Sequence, residues 1–181
     1  MPRLAGLLFI LASAVFSMAA LSLALVPTLG RLPEPQITTE QNLAIVVSLS
    51  NPVENLSMAE LRRIFLGERS HWPNGRRITL VMMEPGQPER AVVLRDICQM
   101  NETDFNNHFL HGVFTGEVLV SPKTLATPVG VRKFVFNVPG AIGYLRVSDL
   151  DSSVKAVRVD ERGPEDKGYK LHVPPRSSKK T

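Results

Sequence analysis

Three side chains, Asp104, His108 and His111, lie within about 60° of one another if their segment is helical at 100° per residue. Two imidazoles and a carboxylate on one face are a zinc-ligand set, and equally the polar face an amphipathic helix shows to water, since Phe105, Phe109 and Val113 fill the other stripe. Hydrolytic and phosphoryl-transfer chemistry find no support: there is no nucleophile elbow, no glycine loop with a Lys to cradle phosphates, and no carboxylate pair with evident partners. Cys98 is the sole cysteine, so no intrachain disulfide or cysteine zinc cluster can form. Its neighbours Val93, Leu94 and Ile97 make it a small buried hydrophobe. The sequence thus predicts a non-enzymatic protein with no cofactor. Arg62, Arg63, Arg69, Arg76 and Arg77 form a local basic group, the best hint of a partner surface.

The net charge of +4 is carried entirely by Arg3 and by Arg176, Lys179 and Lys180, so the stretch between the ends is near neutral. That excludes nucleic-acid binding as a main function. Behind Arg3, residues 4–30 carry no charge and are rich in Leu, Ala and Val. This is the layout of a secretory signal, and it also reaches the roughly 20 residues that span a bilayer. Residues 1–26 are therefore read as a signal peptide or a membrane anchor, and both place the remainder in the periplasm or otherwise outside the cytoplasm. Pro27, Gly30, Pro33 and Pro35 mark 27–42 as a linker, 43–173 is the folded domain, and 174–181 is a basic tail expected to be disordered.

Within the domain, residues 43–49 form a nearly continuous apolar run suited to a strand covered on both faces. Ser57 with Glu60 is a capping box that opens a helix carrying Met58, Leu61, Ile64 and Phe65 on one stripe. Further strands are predicted at 78–83, 141–146 and 154–159, with a helix led into by Gly86 and Pro88 that turns Val93, Leu94, Ile97 and Cys98 inward, another capped by Asn101 with Asp104, and a third from Thr127-Pro128. Strands separated by helices imply an α/β fold, a three-layer architecture with a mostly parallel or mixed sheet.

Ser50-Asn51-Pro52, Leu56-Ser57, the run from Leu61 through Arg62, Arg63, Ile64, Phe65 and Leu66 to Gly67, then Trp72 and Gly75 resemble a segment of phosphate-type periplasmic substrate-binding proteins. Phe114-Thr115-Gly116 and the segment from Val138-Pro139-Gly140 to Ala141-Ile142-Gly143-Tyr144 continue the likeness. Such proteins clamp a solute between two lobes, and the matching part here is a single periplasmic-binding-protein-like lobe. The resemblance implies an anion-contacting Arg and a Ser-Gly-Thr run at a helix N-terminus after the second strand. This chain instead has Met82 or Met83, then Gln87, Pro88 and Glu89. Pro88 lacks an N–H and Glu89 brings a negative charge, so tight phosphate binding is not expected.

Open α/β sheets bind ligands beyond the carboxyl ends of their strands. By that rule a weakly held small anion such as phosphate would meet Ser48, Ser50 and Asn51 after the first strand and Gly86 and Gln87 after the second, with Thr115 and Gly143 joining. The implied function is a weak solute binder or an accessory of a transport or sensing system with a membrane or periplasmic protein partner; the alternative is a ligand-free protein interaction module.

Overall fold

The computed structural model describes residues 41–118 and 121–176. The expected targeting segment and nearly all of the linker lie outside the described residues, as do the last five positions of the tail.

The apolar run becomes β1 (Gln41–Ser48), whose residues from Leu43 onward are buried. A two-residue strand, β2 (Asn55–Leu56), precedes α1 (Met58–Phe65). The capping box of α1 is present in full: Glu60 N donates to Ser57 Oγ at 3.2 Å, and Ser57 N donates back to Glu60 Oε2 at 3.0 Å. These contacts hold the Glu60 carboxyl below the usual carboxylate range. Leu61, Ile64 and Phe65 are the buried stripe, as the spacing predicts.

β3 (Thr79–Met83) leads through the Gly86 turn into α2 (Pro88–Val92), which continues directly as a π-helical segment (Val93–Cys98). Then come α3 (Glu102–Thr115), β4 (Lys123–Leu125), α4 (Pro128–Asn137), β5 (Ala141–Arg146), β6 (Val154–Val159) and β7 (His172–Val173). The inward residues of α3 are Phe105, Phe109 and Gly112; Val113, expected on that stripe, is exposed. Among the described residues no helix is long and apolar enough to cross a membrane.

The sheet order is β2-β6-β1-β5-β3-β4, with β7 pairing the start of β1. β3 runs parallel to both β4 and β5, whereas β1 is antiparallel to β5, β6 and β7. The sheet is therefore mixed, with β1 reversed at its centre. Both faces are covered. A Cβ on Gly143 would touch Val131 and Val135 of α4, while the next residue, Tyr144, turns to the opposite face and packs 6.2 Å from Phe65 of α1. This gives the three-layer α/β arrangement. Trp72 locks the entry to β3 by donating its indole N–H to Gly140 O at 3.0 Å. Only glycine fits at 140, because a Cβ there would fall 2.1 Å from Arg77 O.

Candidate functional site

Parallel β3, β4 and β5 end at the same edge of the sheet, where α2 and α4 begin. A cavity of about 260 Å³ lies there, lined by Met83, Gln87, Glu89, Pro128, Asp149 and Arg176 among others. α4 enters with Thr127 as its cap, Oγ1 accepting from Gly130 N at 3.0 Å. α2 enters with Pro88 in its first turn and no side-chain cap.

The electrostatics of this edge are set by three buried charges: Glu89, Arg90 and Arg146 are 2 %, 4 % and 0 % exposed. Arg146 Nε donates to Glu89 Oε1 in a short ion pair, and Arg146 Nη1 donates to Pro174 O at 2.8 Å. Arg176 Nη2 lies 3.7 Å from the same Glu89 oxygen and pairs with Asp149. Arg90 is fully engaged elsewhere: its Nη1 donates to Met83 O at 2.8 Å, its Nη2 to Glu102 Oε1 at 2.6 Å, and its guanidinium sits 5.4 Å from the Phe105 ring centre. The Arg90 guanidinium holds the Glu102 carboxyl below its ordinary range. The two carboxylates at this edge, Glu89 and Asp149, are thus each paired with an arginine of the chain.

The residues expected to bind ligand do not converge. Gln87 lines the cavity, and Gly86 makes the preceding turn at φ +87°. Ser48, Ser50 and Asn51 lie at the other edge, because Val47 pairs with Ile142 and Thr79 with Ala141, next to the starts of β5 and β3. At about 3.3 Å per residue, the five residues of β3 separate the two edges by roughly 13 Å. The carboxyl-end rule assumed that the first two strands run the same way, and β1 does not. Gly143 lies inside β5 beneath α4, and Thr115 Oγ1 donates to Gly112 O at the end of α3, so neither reaches the cavity.

The Asp104, His108 and His111 trio has other employment. Asp104 Oδ2 accepts from Asn101 Nδ2 at 2.7 Å, His108 Nε2 is 2.8 Å from Leu66 O at the end of α1, and His111 is exposed. Among the described residues no group of three or more His, Cys, Asp or Glu is placed to hold a metal. Burial pushes the Cys98 thiol up to about 12, so it is not a nucleophile at neutral pH.

Sequence reasoning missed Arg146 and Arg176. The signal for the first was an arginine closing an otherwise apolar strand, a position that needs a buried counter-charge. Arg176 lay in the expected disordered tail, yet Pro174 and Arg176 are both tied to the cluster.

No protein-family model matches the sequence. Solved structures do. An ABC-type phosphate transport receptor from Vibrio cholerae aligns with a TM-score of 0.59 at 21% identity, over 76% of this chain and 55% of that one. A putative phosphate ABC transporter substrate-binding protein with bound phosphate from Clostridium perfringens gives 0.56 at 23%, over 68% and 47%. PstS from Borrelia burgdorferi gives 0.53 at 12%, over 67% and 48%. The chain spans about half the length of these proteins, and its fold is that of the corresponding half of a phosphate-type substrate-binding protein.

Proposed function

We propose that this chain is an extracytoplasmic accessory domain of a transport or sensing system, built on the solute-binding fold and acting through a protein partner instead of capturing free phosphate. The observation that carries the reading is the buried Glu89–Arg146 ion pair. A carboxylate in contact with the guanidinium that an incoming anion would need repels that anion, and displacing it costs the pair's own stabilisation.

Calorimetric titration with inorganic phosphate tests this. The wild-type chain is expected to bind no tighter than millimolar, and a micromolar Kd would overturn the proposal. The same preparation reads the address: expressed with its own residues 1–40, the protein should be recovered outside the cytoplasm, and recovery only inside it would remove the extracytoplasmic part of the reading.

A further inference from the structure

At the edge opposite Glu89, β1 ends in a polar loop with one buried donor left over, Asn51 Nδ2. Ser48 is 5 % exposed and Asn51 2 %. Ser48 Oγ lies 3.2 Å from Ser50 Oγ, which in turn accepts from Arg76 Nη1 at 3.3 Å. Asn51 Oδ1 accepts from Val53 N at 3.0 Å, but Asn51 Nδ2 is buried with no acceptor among the described residues. The acid of this loop, Glu54, is taken by Lys155 Nζ at 2.6 Å, and the same ammonium fixes the loop by donating to Asn51 O at 2.6 Å. Arg76 pairs with no carboxylate among the described residues, and Arg77 beside it is exposed.

The arginine is held by a rigid support. Trp72 N donates to Arg76 O at 2.8 Å, Arg76 N donates to Asn74 Oδ1 at 3.1 Å, and the Trp72 indole is fastened to Gly140. A turn locked at three points brings a guanidinium to a hydroxyl pair on a different segment. The guanidinium and the carboxamide N–H are donors and the hydroxyl pair has one proton to offer beyond the Ser48–Ser50 contact, and an orphaned buried donor is satisfied where an acceptor arrives. A planar or tetrahedral oxyanion supplies several acceptors and one or two negative charges, which matches this set.

We propose that Ser48, Ser50, Asn51 and Arg76 form an oxyanion site at the carboxyl end of β1 that takes a small carboxylate or phosphate solute. It is separate from the edge filled by Glu89 and does not depend on the function proposed for that edge. Because Arg76 and Ser50 face water, affinity is in the millimolar range, as expected of solvent-screened charge contacts.

The test is a titration of the ¹⁵N-labelled full chain with inorganic phosphate and, in parallel, with acetate, following the Asn51 side-chain amide, the Ser50 amide and the Gln87 amide. Saturable shifts at Asn51 and Ser50 are expected with at least one anion, and the anion that produces them names the class. Arg76→Ala and Ser50→Ala, both at exposed positions, should each weaken the midpoint at least fivefold with thermal unfolding unchanged. Silence at Asn51 and Ser50 with both anions overturns the site, as does a midpoint that neither substitution moves. Shifts at Gln87 alone would overturn it too, and would also count against the Glu89-filled edge.

Discussion

Glu89 is buried against Arg146, with Arg176 Nη2 3.7 Å from the same oxygen, and Glu89 and Arg146 are 57 positions apart in sequence. Reading along the chain, Glu89 is an obstacle at the start of a helix; in three dimensions it is half of an ion pair that Arg146, itself 0 % exposed, cannot do without. Breaking a buried pair from one side strands the other charge, whereas replacing both charges with apolar groups removes the desolvation cost altogether. Glu89→Gln is therefore expected to lower stability by about 3 to 5 kcal/mol. The double change Glu89→Leu with Arg146→Leu should recover most of that loss. Urea unfolding of the three proteins decides it, and a single-mutant cost no larger than that of an exposed pair such as Arg95 with Asp96, at most about 1 kcal/mol, would show that the pair is not buried in solution. At this edge the sequence made Gln87 and the Glu89 charge legible but not Arg146 or Arg176, since pairings across the fold leave no trace in local spacing.

Elements were far more legible than sites, because local rules decide them. The Ser57 to Glu60 spacing alone gives the start of α1, and the phase of Leu61, Ile64 and Phe65 gives its buried face. The short strands β2, β4 and β7, each two or three residues long, carry too few side chains to show a period. The π-helical turn at Val93–Cys98 also escaped, since its residues have ordinary helical composition. Most consequential is strand direction: an apolar run announces a central strand but not which way it points, and the reversal of β1 divided the expected site in two. The helical phase of α1 has a direct check. Phe65 is 0 % exposed and packs against Tyr144, so Phe65→Ala should cost roughly 3 to 5 kcal/mol. Arg62→Ala, with only partial burial and no salt bridge among the described residues, should stay within about 0.5 kcal/mol. Equal shifts in the denaturation midpoint at the two positions would contradict the packing described here.

At the scale of the whole molecule, the C-terminal segment returns to the start of the central strand and ties the two ends of the described fold together. Leu43 N donates to Leu171 O at 2.9 Å, Tyr169 OH donates to Leu43 O at 2.9 Å, and β7 pairs with Gln41 and Asn42. Tyr169, Leu171 and Val173 are 2 %, 0 % and 0 % exposed, so they belong to the core. Past them, Pro174 and Arg176 add polar ties to Arg146, Asp149 and Glu89. Two truncations separate these contributions. A stop after Val173 leaves the core intact, strips the Pro174 acceptor from Arg146 and removes Arg176 from beside Asp149 and Glu89, which should cost about 1 to 3 kcal/mol. A stop after Gly163 removes three buried side chains worth roughly 1.5 to 3 kcal/mol each. It also removes the β7 pairing and leaves Leu43 N and O unpaired, a total comparable with the whole stability of a domain, about 5 to 15 kcal/mol. The longer truncation should therefore show no cooperative unfolding transition, while the shorter one unfolds cooperatively at a reduced midpoint. If both truncated chains unfold at the same midpoint as the full chain, the segment merely rests on the surface and contributes nothing to the core.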